Sequence, residues 1–374
     1  MTRSTEDQSV ATIPTRTRRL RLQTFTSLKH RDYRLLWSST LFASAAQWIQ
    51  QVTLGWLVFD LTGSYLVLGA VNAMRSVPFI FVGPLGGVIA DRMDRKRLLQ
   101  LTQVFLCVTA IAFATVVSAG LVQVWHIFVF TLLSGAGWAF NHPVRQAIVP
   151  KLVPREDLMN AIALNSAAFN INRVVGPVLG GILIGITGPG LNFYLQAVGY
   201  IAVFLLIIPI RPLSSDQSAR QSSLGANFLE GLTYVFRDPN LRLLIILAAV
   251  PWVFFMPYSA LLPGFAVDVL HLGPSGLGML YSVVGVGALG GTLALASAGN
   301  FQKKGLLLIT SLIAGSVSLI IFSQSSILAM SLVFLALTGG FQMVFMSTNN
   351  TLIQLVVPDA LRGRVVSIFM LDHG

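Results

Sequence analysis

Two arginines lie near the middle of long apolar stretches, where a charged side chain is costly. Arg75 is about 15 Å from the start of its stretch at the rise of an α-helix, and Arg173 is similarly deep in a second stretch. A charge at the centre of a bilayer costs roughly 2.5–3.5 kcal/mol on insertion scales. We therefore expect backbone carbonyls, amide side chains or an anionic solute to compensate each guanidinium.

Amide side chains in the apolar stretches are the first candidates for this role. The sequence offers five of them, at Gln47, Gln50, Asn72, Asn170 and Asn172. No carboxylate lies near the centre of any stretch, so we hypothesise a cavity that favours anionic or hydrogen-bond-rich solutes over lipophilic cations. The alternative is that both arginines are structural and bind the carbonyls of helices that are kinked near Pro78 and Pro177.

Two carboxylates stand at the ends of apolar stretches. They are Asp60 and Asp268. A transporter that exchanges its solute for a proton usually needs an ionisable group in or beside its cavity. The two aspartates are therefore the candidates for ion coupling, although the sequence does not place either beside the arginines.

The composition predicts that membrane-spanning helices carry these residues. Of the 374 residues, 54% are hydrophobic and 10% are charged, against about 25% charged in soluble domains. Ten stretches are long enough to span a bilayer as helices, at 36–60, 65–90, 98–118, 123–143, 160–186, 191–210, 241–267, 275–298, 305–324 and 327–349. An eleventh begins near Arg364. The predicted fold class is an all-α membrane protein with about ten complete transmembrane helices.

The distribution of positive charge predicts the orientation. Every lysine and arginine except Arg75 and Arg173 falls in the N-terminal tail or in connections on one side of the membrane. Such a bias marks the cytoplasmic side, so we expect a multi-pass protein of the cell membrane with its N-terminus in the cytoplasm. The net charge of +11 is spread over short runs, so we expect a lipid bilayer and no nucleic acid as the partner.

An internal repeat predicts two halves. Residues 31–36 resemble 237–244 at a spacing of about 206 residues, as in transporters built from duplicated units. The predicted organisation is a basic tail with an interfacial helix over 25–37, a six-helix half, a cytoplasmic loop and an incomplete second half, at 1–33, 34–210, 211–236 and 237–374. The second half would need about two more helices to match the first, so we expect a truncated chain.

A charged motif follows the second stretch. It reads G-x-x-x-D-R-x-x-R-K-R, with Gly87, Asp91, Arg92, Arg95, Lys96 and Arg97. It is similar to the signature of the major facilitator superfamily between its second and third helices. Asp94 stands where the family usually has glycine, a variation that resembles the siderophore- and macrolide-exporter branch. The resemblance implies that Asp91 helps to close a cytoplasmic gate.

A glycine motif lies in the fifth stretch. Gly176, Pro177, Gly180 and Gly181 form G-P-x-x-G-G, which resembles the core of a motif associated with antiporters of the same superfamily. Small residues allow close helix approach and proline kinks a helix. The alternative is a glycine-rich packing face with no role in transport.

The resemblance implies a twelve-helix bundle of two six-helix pseudo-repeats with a central cavity. The implied activity is export of a drug, a siderophore or a similar amphipathic solute by alternating access, driven by an ion gradient as in an antiporter. No cofactor and no metal site are expected, and a monomer is expected. The chain departs from the family in one respect, because drug–proton antiporters usually carry an arginine in helix four and residues 125–141 contain none.

Two alternatives to an active carrier follow from the sequence. A truncated chain would lack transport activity, since missing helices would expose polar faces to lipid. A membrane-embedded enzyme would need a nucleophile or a histidine–aspartate cluster, but the five histidines are scattered over different connections. The absence of a G-x-x-x-x-G-K-[ST] sequence argues against ATP hydrolysis by this chain.

Overall fold

The computed structural model is helical throughout the part that it describes. It describes residues 25–92, 94–211, 233, 237–251, 255, 257–299 and 302–357, without the side chains of 80–92, 240, 249 and 250. No strand occurs within these ranges. The expected eleventh stretch near Arg364, the tail before residue 25 and most of the predicted loop 211–236 lie outside the described residues.

Six long helices form the N-terminal half, which we define as residues 25–211. They are α1 (Arg31–Thr62), α2 (Tyr65–Arg92), α3 (Arg95–Ser118), α4 (Val124–Leu152), α5 (Leu158–Thr187) and α6 (Pro189–Ile207). In this half α1 packs along α5 and α6, α2 packs along α4, and α3 packs along α4 and α6.

The C-terminal half, residues 237–357, contains both short and long helices. Its elements are α7 (Pro239–Val250), α8 (Tyr258–Gly264), a π-helical turn (Phe265–Val269), α9 (Pro274–Ser297), α10 (Lys304–Ser323) and α11 (Leu328–Val356). Here α11 packs along α9 and α10, and α9 also packs along α5 of the other half.

Seven of the described helices are long and apolar enough to cross a membrane. They are α3, α4, α5, α6, α9, α10 and α11. Their surfaces carry many exposed apolar side chains, such as Val108, Ile186 and Leu293, as expected for a protein whose solvent is lipid. The protein is therefore a multi-pass membrane protein, and the count of ten spans stays a prediction.

The seventh predicted stretch, 241–267, is not one regular α-helix. The described residues give α7 up to Val250, π-helical backbone at positions 251 and 255, a turn at Pro257 and α8 from Tyr258, followed by the π-helical turn. Pro257 precedes α8 and Pro263 lies within it, and neither has an N–H with which to continue a helical ladder. A continuous apolar run concealed this interruption.

The interfacial helix predicted over 25–37 is also wrong. Thr26–Lys29 form one turn of 3-10 helix, His30 is extended, and α1 begins at Arg31. The Ser27 hydroxyl donates to the Asp157 carbonyl at 2.9 Å, and Tyr33 donates to the Ala161 carbonyl at 2.8 Å. These bonds hold the segment against the start of α5. The same helix packs along α1.

The two ends of the bundle differ in their connections. At the apolar end, Gly63, Gly120 and Gly188 take positive φ values in the turns after α1, α3 and α5, a conformation that glycine adopts without a Cβ penalty. At the basic end, His30 pairs with Asp157 at 2.7 Å. The apolar end is the one that contains the turns after α1, α3 and α5, and the basic end is the opposite one, where α1 and α5 begin.

Aromatic packing fills the apolar end of the N-terminal half. The ring of Phe113 stacks on Phe130 with centres 4.2 Å apart and meets Phe193 edge-on at 4.8 Å. A separate cluster that includes Val52 of α1 and Leu262 and Leu277 of the C-terminal half is also almost fully buried. The halves therefore share an apolar core near the apolar end.

The described contacts between α5 and α9 run from the apolar end to the middle of both helices. At the apolar end, a Cβ atom on Gly181 would lie 2.5 Å from the Pro274 carbonyl oxygen, so the two backbones touch. Farther along, the Ser282 hydroxyl of α9 donates to the Val174 carbonyl of α5 at 2.6 Å.

Candidate functional site

Arg173 lies near the middle of α5, on the part of this helix that packs against α9. Its carbonyl is close to Gly285 of α9, where an added Cβ atom would lie 3.0 Å from the oxygen. Its guanidinium carbon is 5.9 Å from the centre of the Trp48 ring, and the group interacts electrostatically with Tyr258. Among the described residues, its guanidinium has neither a hydrogen-bond acceptor nor a carboxylate in bonding range.

Arg75 is compensated in a different way. Its guanidinium donates a hydrogen bond to the Gln51 side-chain oxygen. Tyr281 of α9 lines the same small pocket as Arg75 and Gln51, and its hydroxyl donates to the Ser259 carbonyl at 2.6 Å. Arg75 is thus bound by an amide of its own half and lies beside a tyrosine of the other half.

A small pocket of about 30 Å³ lies beside Arg75, which is room for roughly one water molecule. Both halves contribute to its lining, which consists of Gln51, Leu54, Gly55, Val58, Leu68, Val71, Asn72, Arg75, Thr131, Ala260 and Tyr281. The polar groups are few and the walls are mostly apolar.

The two arginines belong to one polar group at the boundary between the halves. Tyr258 interacts electrostatically with Arg173 and with Tyr281, and Tyr281 interacts with Arg75. Trp48 and Gln51 lie one helical turn apart on α1 and each contacts one of the arginines. A solute between the halves would therefore meet two positive charges, aromatic rings and an amide.

The structure places the five predicted amides in different surroundings. Asn72 lines the Arg75 pocket, and Gln47 and Asn170 are partly exposed. Gln50 instead accepts a hydrogen bond from Gln196 and donates to Ser134 at 3.3 Å. The Asn172 amide donates to the Leu41 carbonyl and to the Ser44 hydroxyl, at 3.1 and 2.8 Å.

Gln50 and Asn172 therefore join helices within the N-terminal half and do not face the arginines. Sequence analysis missed Gln51, which carries the bond to Arg75. One residue along a helix rotates a side chain by about 100°, and only the direction of α2 from α1 identifies the correct amide.

Arg145 corrects the statement that helix four has no arginine. The prediction ended this helix at residue 143, but α4 continues through Pro143 and Pro150 to Leu152. Arg145 is 9% exposed, and its guanidinium donates to the Ser39 and Thr40 hydroxyls at 2.7 and 3.0 Å. The side chain binds α4 to α1 inside the N-terminal half and is not part of a surface loop.

The glycine motif faces two neighbours. An added Cβ atom would lie 2.7 Å from the Trp48 Cβ atom at Gly176 and 3.3 Å from the Ile49 Cα atom at Gly180, so both glycines face α1. Gly181 instead faces α9, as described above. Glycine is thus required for the close approach of α5 to a helix of each half.

The described part of the charged motif lies at the basic end of α3. Asp94 caps this helix by accepting a hydrogen bond from the Lys96 backbone at 2.9 Å. The Arg95 side chain donates to the Ala147 carbonyl at 3.3 Å, and Lys96 donates to the Ile208 and Ile210 carbonyls. Arg97 is exposed, while the side chains of Asp91 and Arg92, and the surroundings of Gly87, lie outside the description.

The two candidate coupling carboxylates both lie toward the apolar end, away from the two arginines along the helix axes. Asp60 is exposed near the end of α1. Asp268 lies in the π-helical turn and accepts a hydrogen bond from the Tyr65 hydroxyl of α2 at 2.9 Å. This bond joins the two halves at the apolar end.

Comparison with known proteins identifies the architecture. A family model described as transmembrane secretion effector, within the major facilitator superfamily, matches residues 22–373. The staphyloferrin A transporter of Staphylococcus aureus (strain NCTC 8325 / PS 47) is 27% identical over 90% of this chain and 85% of its own length. The multidrug efflux pump Tap of Mycolicibacterium fortuitum is 27% identical over 92% of this chain and 86% of its own length.

A solved structure supports the same fold. A mutant of the nucleoside transporter NupG superposes with a TM-score of 0.75 at 13% identity, over 91% of this chain and 87% of that chain. The predicted resemblance to the siderophore- and drug-exporting branch of the superfamily is confirmed by the relatives, which are transporters and not enzymes. The chain belongs to the transmembrane secretion effector family of the major facilitator superfamily, whose members move small molecules across membranes.

Proposed function

We propose that this protein exports a drug, a siderophore or a similar amphipathic small molecule by alternating access. The solute would bind between the halves, beside Arg75 and Arg173, and the two halves would rock about this site. The relatives that are named as a siderophore transporter and a multidrug efflux pump support this direction and this class of solute.

One observation carries the proposal. The halves touch through backbone at the apolar end of α5 and α9 and pack against each other as far as Arg173 and Gly285. Alternating access requires a closed end and an open end that can exchange roles. If the basic end is cytoplasmic, as the charge distribution predicts, the described contacts close the end that lies away from the cytoplasm.

We propose roles for the remaining predicted site residues on the same basis. The glycines of α5 would permit the closed apolar end, and the Arg95–Arg97 segment with Asp91 would act when the basic end closes. Asp268 is the stronger candidate for ion coupling, because its carboxylate already bridges the halves through Tyr65. Asp60 is a weaker candidate, since it is exposed at the end of α1.

A reversible disulfide across the apolar end tests the proposal. A Cβ atom on Gly185 would lie 3.5 Å from the Ser275 hydroxyl oxygen, so side chains at these two positions are in van der Waals contact across the halves. We would introduce Gly185→Cys and Ser275→Cys together with Cys107→Ala, which removes the single native cysteine. Uptake of ethidium, erythromycin and citrate into inverted membrane vesicles would be measured before and after oxidation.

We expect the reduced protein to transport at least one of the three solutes, oxidation to stop this transport, and dithiothreitol to restore it. A control pair, Ser166→Cys with Leu293→Cys, lies toward the basic end of the same two helices and should not cross-link in this arrangement. Uptake that is unchanged by a complete cross-link at 185 and 275, or no uptake of any solute, would contradict the proposed cycle.

A further inference from the structure

We propose that Arg173, with Trp48, forms the binding subsite for the carboxylate of an organic anion that carries an aromatic or apolar group. This inference rests on the proposed function, because it specifies the solute class at the same site. In this proposal Arg173 contacts the solute, whereas Arg75 has a structural role.

The two guanidinium groups differ in what they already bind. Arg75 donates to the Gln51 side-chain oxygen, and Tyr281 lines the same small pocket. Arg173 has no such acceptor among the described residues and only the face of an indole ring 5.9 Å away. A guanidinium has five N–H donors in a planar fork, so Arg173 retains the donors that a carboxylate needs.

The surroundings of Arg173 favour an anion with a flat apolar group. The Trp48 ring lies under the guanidinium and is also 5.8 Å from the ring of Phe169. Phe169 is 41% exposed, so part of this aromatic surface is accessible near the charge. A carboxylate could take both donors of one edge of Arg173 in a bidentate pair, while its apolar part packs on the rings.

The charge balance of the site excludes a preference for cations. No carboxylate lies beside Arg173 or Arg75 among the described residues, so a cationic solute would meet two positive groups and no negative one. A membrane potential that is negative inside drives an anion outward. Export of an anion therefore does not require a proton-binding carboxylate next to the subsite.

Binding of matched probes to the full chain in lipid nanodiscs tests the subsite. The probes are 1-naphthoate and 1-naphthylmethylammonium, which share one ring system and carry opposite charges. Equilibrium dialysis, corrected with empty nanodiscs, measures the dissociation constants for the wild type, Arg173→Lys, Arg173→Ala and the control Arg155→Ala. Arg155 is an exposed arginine of the basic end, so its loss removes one charge and leaves Arg173 and Trp48 in place.

We expect the wild type and Arg155→Ala to bind 1-naphthoate equally and to bind the ammonium probe at least about tenfold more weakly. Arg173→Ala should abolish saturable binding. Arg173→Lys keeps the charge but loses the planar fork, so it should weaken binding about tenfold. This second variant decides the matter if Arg173→Ala does not fold.

Two results would overturn the subsite. One is 1-naphthoate binding to Arg173→Lys or Arg173→Ala that matches the wild type. The other is wild-type binding of the ammonium probe that is as tight as that of the anion. Dialysis involves no transport, so a failed subsite leaves the disulfide experiment unaffected. A failed disulfide experiment likewise leaves the binding result unaffected.

Discussion

The two ends of α5 are held by contacts of different kinds. At its basic end, α5 is bound to its own half by side-chain hydrogen bonds from Ser27, Tyr33 and Trp37. At its apolar end, it meets α9 of the other half by backbone contact at Gly181, with small residues on both helices. One helix is thus anchored firmly within its half and touches the other half through a surface that few specific bonds cross.

This difference matches what a rocking cycle needs. Each side-chain hydrogen bond contributes about 0.5–1.5 kcal/mol net, and several of them together make the basic end of α5 a permanent part of the N-terminal half. Packing of small residues in lipid relies on dispersion and fit, and between the described parts of α5 and α9 it is supplemented by the bonds from the Ser282 and Ser275 hydroxyls to the Val174 and Gly181 carbonyls. The contact at the apolar end can therefore break and form again at low cost.

The first prediction tests the contact between Gly181 and Pro274, which should break during the cycle. In Gly181→Ala, the new methyl group would lie 2.5 Å from the Pro274 carbonyl oxygen and 3.1 Å from the Gly278 Cα atom. Overpacking of this kind costs about 1–3 kcal/mol, which would fall on the closed apolar end alone. We expect disulfide formation between Gly185→Cys and Ser275→Cys to slow by about tenfold or more, measured as the rate of cross-linking with copper phenanthroline.

The matched control lies one helical turn away. A Cβ atom on Gly185 would meet only the Ser275 hydroxyl, at 3.5 Å, an ordinary van der Waals distance. Gly185→Ala should therefore support transport at close to the wild-type rate, whereas Gly181→Ala should not. Equal transport by both variants would mean that the backbone contact does not have to form during the cycle.

The sequence predicted most of the helices but not the faces they present. Stretches such as 98–118 and 305–324 closely match α3 and α10, because a spanning helix needs a long apolar run whatever its neighbours are. The interruption at Pro257 and the extension of α4 past Pro143 were missed, since hydropathy is insensitive to backbone breaks and an apolar helix can continue through proline when neighbours satisfy its backbone.

The site was predicted only at the level of its charges. Arg75 and Arg173 were identified because a charge in lipid is expensive, and this argument needs no fold. It could not identify Tyr258 or Tyr281, which come from distant parts of the chain and resemble ordinary packing residues. Nor could it distinguish Gln51 from Gln50, because that choice depends on which helix lies beside each face of α1.

The second prediction tests the permanent end of α5. Tyr33 is fully buried and its hydroxyl donates to the Ala161 carbonyl at 2.8 Å. Tyr33→Phe removes the donor and leaves a buried carbonyl with one partner fewer, at a cost of about 1 kcal/mol in unfolding free energy. We expect a lower thermal midpoint in detergent and an unchanged rate of cross-linking between positions 185 and 275.

Tyr194→Phe is the control for this substitution. The Tyr194 hydroxyl is 3.1 Å from the Thr115 hydroxyl in an exposed pair on α6 and α3, so its loss should leave the thermal midpoint nearly unchanged. A Tyr33→Phe variant that alters the cross-linking rate would show that the basic end of α5 also moves during the cycle.

The third prediction concerns the hydrogen bond between Tyr65 and Asp268 at the apolar end. Among the described side-chain bonds that join the halves there, it alone involves a carboxylate. Tyr65→Phe keeps the ring, which packs against Gly264 and meets Phe59 edge-on at 5.4 Å, and removes only the hydroxyl that donates to Asp268. Because water competes for an exposed bond, its loss should cost about 0.5–1 kcal/mol. We expect cross-linking between positions 185 and 275 to slow about two- to fivefold.

Asp268→Asn distinguishes a bond that merely closes the apolar end from a carboxylate that couples an ion. An asparagine oxygen can still accept from Tyr65, so the substitution should change the cross-linking rate less than Tyr65→Phe does. If Asp268 also carries the coupling proton, its loss should abolish the dependence of uptake on a pH gradient, which Tyr65→Phe would leave in place. A pH-dependent uptake that survives Asp268→Asn would restrict this carboxylate to its role in holding the halves together.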